Sequence, residues 1–407
     1  MYDLTAMAAW IEFAVRWLHV ITAIAWIGSS FYFIALDLGL HRDRNLASGA
    51  DGEEWQVHGG GFYHIQKYLV APDQMPGDLV WFKWESYATW LSGFALLMLV
   101  YYLGANFYLV DPAVADLAAW QAILISLASL GFGWLAYDWL CKSRFGEDNT
   151  RLMVLLFVIL VGMAWFYTSV FSGRAALLHL GAFTATIMSA NVFLTIIPNQ
   201  KIVVADLIAG RVPDAKYGKI AKQRSTHNNY LTLPVIFLML SNHYPLSFAS
   251  EYNWLIASLV FLMGVTIRHY FNSMHARAGN PHWTWAATAV IFVVIMWLST
   301  AANVTGADRE EAQGAGLRFA QAEGYPEVHD IVMGRCSMCH AAEPVWEGLH
   351  WAPKGVRLDN AYQITRNARA IYLQSGLSHA MPPANLAMMQ EGERAAIVAW
   401  YEGATGG

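Results

Sequence analysis

Charged residues are scarce in this chain. Asp, Glu, Lys and Arg together make up 14% of its 407 residues, against roughly a quarter in soluble domains. That shortage excludes a disordered chain, which needs high charge and few apolar groups, and argues against a purely soluble enzyme. Net charge is −5, so neither a polyanion nor a polycation is implied as partner, and nucleic acid is excluded. Three cysteines are too few for a disulfide scaffold, which leaves only their spacing to read. A cleavable signal peptide is also lacking: the first apolar stretch is long, has no basic lead-in, and carries Glu12 and Arg16. No internal repeat stands out.

What is abundant is apolar surface, with 56% hydrophobic residues and 18 Trp. A bilayer crossing takes about 20 residues of helix. Apolar segments of that kind fall at about 10–36, 85–105, 119–140, 152–171, 175–197, 229–244, 254–274 and 283–300. The sixth is short and contains Pro234. The tryptophans read mostly as interfacial belts and packing.

The loops orient these spans. Arg42, Arg44, Lys67 and Lys83 precede the second, and Lys142, Arg144 and Arg151 lie between the third and fourth. Lys201, Arg211, Lys216, Lys219, Lys222 and Arg224 precede the sixth, and Arg277 follows the seventh. The alternate loops hold Arg174 alone, so 14 basic residues face one side and one the other. Cytoplasmic loops carry the positive excess, which predicts both termini outside the cytoplasm. Beyond residue 300 the composition turns polar, with a linker expected at 301–325 and a non-inserting domain at 326–407 that holds the chemistry below.

That domain contains Cys336-Ser337-Met338-Cys339-His340, the spacing of covalent haem c attachment. Two thiols so placed form thioethers to both vinyl groups, and His340 becomes the proximal iron ligand. Val328, Ile331 and Val332 are spaced for a helix that delivers the motif. Met381-Pro382-Pro383 supplies the distal sulfur, ahead of His379, Met388 and Met389, and Gly392–Trp400 reads as an amphipathic closing helix. Covalent haem attachment takes place outside the bacterial cytoplasm, where the loop charges put this domain. Cys141, at the cytoplasmic end of the third span, reads as a passive reduced thiol.

Ionisable groups inside spans are costly and mark interiors or cavities. Glu12, Arg16 and His19 share one helical face toward the outer side, with His179 near the outer start of the fifth span. Toward the inner side stand Thr226, His227 and Asn228 entering the sixth span, and Arg268 and His269 leaving the seventh. Glu85, His64 and Lys67 are further members by position. His19 and His179 are the pair to which an additional b-type haem would be assigned.

Trp17-Leu18-His19, Gly59-Gly60-Gly61-Phe62-Tyr63 and the Arg224–Asn229 run, combined with a C-terminal cytochrome motif, resemble the bacterial membrane-bound urate oxidases fused to cytochrome c. The resemblance spans nearly the whole chain. It implies an all-α fold, a polytopic bundle of about eight spans over 1–300 followed by a small class I-like cytochrome c domain. It implies hydroxylation of urate to 5-hydroxyisourate in purine catabolism. Electrons leave through haem c for a periplasmic cytochrome or terminal oxidase, without hydrogen peroxide, in the bacterial inner membrane. His19, His227, Arg268 and His269 are the expected catalytic residues, and Arg16, Asn228 and Thr226 the expected urate-binding ones. The residues alone leave open whether the outer or the inner cluster holds the substrate. They also leave open a quinol-oxidising, haem b-linked module that reduces cytochrome c, and a transporter with a haem sensor. The latter would be built on inverted repeats of broken helices, and none is evident.

Overall fold

The computed structural model describes the chain except residues 1–3, 70–76, 113, 302–310, 347–348, 350–351 and 407. It is mostly helical. Helix α1 runs Leu4–Gly39, α2 Trp84–Leu96 continuing as a π-helical turn Leu97–Tyr102, and α3 Ala119–Lys142. Next come α4 Asn149–Val170 and α5 Gly173–Ala190, the latter extended by a π-helical turn Asn191–Ile196 and a helix Ile197–Ile208. Helices α6 Ala215–Ser241, α7 Asn253–His275 and α8 Trp283–Ala301 complete the bundle.

These rods overlie the eight expected segments, and among the described residues five are long and apolar enough to cross a membrane. Their outward faces are apolar: Trp10, Phe13, Trp17 and Ile24 on α1 and Val290, Val293 and Trp297 on α8 are all exposed. A soluble monomer rarely leaves so continuous an apolar surface uncovered. Inside, Leu130, Leu156, Leu160, Tyr167, Leu180, Phe183 and Leu238 form the main core. Helix starts follow the capping rule: Asp148 accepts from Thr150 N and Arg151 N, and Asp214 from Lys216 N at 2.9 Å.

The structure redraws several boundaries. The sixth segment belongs to a helix that begins at Ala215, so Thr226, His227 and Asn228 lie well inside α6 rather than at its mouth. Pro234 is accommodated there because Gly264 of α7 faces it: a Cβ on Gly264 would lie 2.5 Å from Pro234 Cδ. The expectation of an all-α fold holds for most of the chain, with one small exception. Strands β1 Ala50–His58 and β2 Gly61–Tyr68 form an antiparallel hairpin in the loop after α1. Gly59 and Gly60 supply the positive φ its turn requires. Its Lys67 pairs with Asp37 at the foot of α1, and His64 bonds Glu53 at 2.8 Å. His64 and Lys67 are thus occupied outside the inner cluster.

The C-terminal unit has its own core. Helix α9 Tyr325–Arg335 and α11 Glu391–Thr405 pack together, with α10 Ala361–Arg366 between the two in sequence. Val328, Val332, Ile364, Ile397 and Trp400 are almost wholly buried. Phe319 belongs to this core, its ring 5.5 Å from those of Trp400 and Tyr401. Residues 314–320, expected within the linker, therefore pack as part of the C-terminal unit; the earlier stretch 302–310 lies outside the described residues.

That unit is seated on the bundle. Arg366 pairs with Asp111 at 3.4 Å, Arg369 with Glu12 at 3.7 Å, and the Arg318 guanidinium lies over the Phe107 ring at 5.5 Å. Phe107 itself packs against the C-terminal core.

Candidate functional site

Three constellations emerge, one in the C-terminal unit and two at opposite ends of the bundle.

In the C-terminal unit, α9 ends at Arg335 and delivers Cys336, Cys339 and His340 on the next turn. Both cysteines are free thiols. Burial pushes the Cys336 thiol up to about 11 and also raises Cys339. His340 Nδ1 lies 2.7 Å from Val356 O. A carbonyl can only accept, so Nδ1 carries the proton and Nε2 keeps its lone pair, the arrangement of metal-binding histidines. Met381 is held at both ends of its peptide: its N–H donates to Gln374 O at 2.8 Å, and Arg394 Nη1 donates to its carbonyl at 3.0 Å. Of the alternatives, Met389 is sunk in the core and Met388 is 76% exposed. The donor set fits a haem c.

The end of the bundle beneath this unit holds the outer cluster. Arg16 Nη2 bonds Glu12 at 2.7 Å, and the same carboxylate meets Arg369 of the C-terminal unit. His19, one turn deeper on α1, has Nδ1 3.0 Å from Thr89 O and 3.1 Å from Ser92 Oγ, and tucks against Gly93. Ser172 caps α5 and donates to Tyr108 O at 2.6 Å, which brings the start of α5 against the Ala105–Tyr108 turn that carries Phe107. The Arg174 guanidinium lies over the Tyr108 ring at 5.3 Å.

His179 is fully buried, with Tyr101, Tyr167 and Phe171 rings 5.7, 5.9 and 4.7 Å away. Its Nδ1 donates to Ala175 O at 2.8 Å, so Nε2 is an acceptor, and that atom has no partner. Tyr101 Oη and Arg174 Nε are buried without a partner as well, and Tyr101 has Arg174 and Arg16 as its charged neighbours. Buried polar groups normally find a bond; the His179 acceptor that has none stands beside Tyr101, which in turn is close enough to Arg174 to interact with it. His19 and His179 belong to different layers: one ring faces α2, the other is walled by aromatics.

At the opposite end lies the inner network. Arg224, 1% exposed, donates to Asp138 Oδ1 at 2.7 Å and to Asn191 Oδ1 at 3.2 Å, and stacks on Tyr137 at 4.8 Å. His227 Nδ1 is 2.8 Å from Tyr137 Oη, and Asn228 accepts from Asn191 at 3.1 Å. Thus His227 and Asn228 are brought together. The other expected members are not. Thr226 spends its hydroxyl on Lys222 O one turn back. Arg268 lies on a different side of α6, bonded to Asn229 at 3.3 Å and Asn272 at 2.9 Å, with its guanidinium over Phe31 at 4.1 Å. His269 is exposed beside Trp283.

The residues that sequence reasoning missed here are Tyr137, Asp138, Asn191 and Arg224, and in the outer cluster Tyr101. Arg224 counted as loop charge and as the first residue of the Arg224–Asn229 run, not as a site residue. Its i, i+3, i+4 spacing with His227 and Asn228 was the available signal, once the helix is known to start at Ala215.

A family model described as Urate oxidase N-terminal matches residues 5–299. No curated protein and no solved structure matches the chain. The match takes in the whole helical bundle with both of its buried polar clusters, and well over half of the sequence: the chain belongs to the urate oxidase N-terminal family.

Proposed function

We propose that the chain is a membrane-bound urate hydroxylase that converts urate to 5-hydroxyisourate and passes the electrons to a haem c carried by its own C-terminal unit. The observation that carries this reading is the seating of the Cys336–His340 unit on the end of the bundle that holds Tyr101, Arg174 and His179. Electron transfer decays steeply with distance. Along α5 and its continuation His179 and Asn191 are 12 residues apart, which at 1.5 Å per residue puts the inner network roughly 18 Å further away. The outer cluster is therefore the better place for oxidation.

In this reading Cys336 and Cys339 would hold the haem through thioethers, and His340 and Met381 would supply the iron ligands. When bound, the group supplies a one-electron acceptor, so each turnover takes two successive transfers. Urate monoanion plus water gives 5-hydroxyisourate, one proton and two electrons. Arg174 Nε–H and Tyr101 Oη hold the planar anion, and Arg16 adds positive charge. His179 Nε2 takes the proton from the attacking water, since its fixed tautomer leaves a lone pair there. His19 ties α1 to α2 beneath Arg16 and positions it. The loop charges support an inner-membrane location with the C-terminal unit on the periplasmic side, where a cytochrome or terminal oxidase would draw the electrons off.

Anaerobic mixing with urate, followed at the reduced haem band, tests the reading. The wild type should be reduced by urate. His179→Gln should slow reduction by about 10²-fold or more with an unchanged haem spectrum. A wild type that urate leaves oxidised would end the proposal, and a fully active His179→Gln would remove the base from it.

A further inference from the structure

The inner network contains polar atoms that the outer oxidation site does not use. Helix α3 runs toward this end and α6 away from it, so the Arg224–Asp138 pair sets a level common to both. Trp134 lies one turn before Asp138, and His227 one turn after Arg224. Both therefore come to the same level, just above the ion pair. Trp134 Nε1, Arg224 Nε and His227 Nε2 are buried, and none has a hydrogen-bond partner.

Their character as donors can be worked out. Arg224 can only donate, so the Asn191 atom it meets at 3.2 Å is the amide oxygen. The Asn191 NH2 then donates to Tyr137 Oη and Asn228 Oδ1, both at 3.1 Å. The Tyr137 proton goes to His227 Nδ1 at 2.8 Å, a better acceptor than the neighbouring Cys141 sulfur. That tautomer leaves His227 Nε2–H as a donor. The indole N–H and the guanidinium Nε–H are donors in any case.

Three buried donors with no acceptor among them call for a ligand rich in acceptors. One water molecule has two lone pairs and cannot serve all three. The local charge agrees: Arg224 and Lys142 both pair with the single carboxylate of Asp138, which leaves one positive charge over. Tyr137 and Trp134 provide flat aromatic surface on the same helix face. Asn191 opens a π-helical turn, a feature frequent at functional sites.

We propose that Trp134, Arg224 and His227 form a second binding site, for a planar organic monoanion of the purine type, at the end of the bundle opposite the C-terminal unit. It would take up substrate on that side before oxidation at the outer cluster. This inference rests on the urate reading of the preceding section and deepens it.

The test separates binding from turnover. With the haem of the whole protein reduced by dithionite, urate cannot deliver electrons, and radiolabelled urate can be counted at equilibrium. Two urates per chain are expected. Trp134→Phe, which removes the N–H and keeps a flat ring, should weaken one of them by about 5- to 100-fold, and His227→Gln should act likewise. Tyr101→Phe should affect only the other. A single urate that responds to Tyr101→Phe but not to Trp134→Phe or His227→Gln overturns the inner site. A single urate with the opposite response supports the inner site and instead defeats the outer assignment. Two urates indifferent to both inner variants would mean that the orphan donors are merely hydrated, and would also overturn it.

Discussion

At the scale of single residues, the informative atoms are those left without partners. Under the proposed function Cys336 and Cys339 form a haem-attachment pair, and burial separates the two. Cys336 is 9% exposed and its thiol is pushed up to about 11, whereas Cys339 is more open. In protein made without haem attachment, alkylation at pH 8 should modify Cys339 well before Cys336, because only the thiolate reacts. Mass spectrometry of the two peptides checks this, and equal rates would contradict the burial argument. The histidines differ in the same manner: His179 and His340 each give one N–H to a backbone carbonyl and keep the other nitrogen as acceptor, whereas His227 is bound by a phenol. Sequence shows that a histidine stands in a span; only the partner of its first nitrogen says what the second can do.

At the scale of elements, the helices were legible as apolar segments, but their registers and ends were not. Helix α6 continues polar residues 215–228 into the apolar run, so hydropathy located only its second half. The two π-helical turns described in the bundle carry Tyr101 and Asn191, one in each buried cluster, and no periodicity announces them. The crossing of α6 and α7 depends on a fit that residue types only hint at. The Pro234 ring is rigid and needs the bare backbone of Gly264. Gly264→Ala should cost about 1–3 kcal/mol through overpacking and lower the thermal unfolding midpoint in detergent. A midpoint equal to the wild type would show that the helices part without penalty.

At the scale of the whole molecule, the C-terminal unit is held to the bundle, among the described residues, by two partly exposed ion pairs, an Arg318–Phe107 contact and the Phe107 packing. Partly exposed pairs contribute about 0–1 kcal/mol each and weaken with salt. The seat is therefore firm enough to favour the docked arrangement and weak enough to open; under the proposed function, that opening would admit a soluble electron acceptor. Asp111→Arg should lower the rate of urate-driven haem reduction by roughly 2- to 5-fold. Raised ionic strength should do the same in the wild type, and adding Arg366→Asp should restore the rate. If the double exchange leaves the defect in place, the ion pair is not what seats the unit.

The apolar excess, the asymmetric loop charges and the Cys336–His340 motif are local properties, and they alone were enough to expect a helical, bundle-forming chain followed by a polar C-terminal unit. Composition and spacing survive any arrangement of the helices, which is why they can be read before folding. The tertiary structure decided which polar residues meet. It joined His227 and Asn228 to Arg224, Tyr137 and Asp138, sent Arg268 to a separate network, and put His179 beside Tyr101 beneath the C-terminal unit. Such meetings depend on the rotation and depth of each helix against its neighbours. Those are set by side-chain packing such as Pro234 on Gly264 and His19 on Gly93, and no single stretch of sequence contains them.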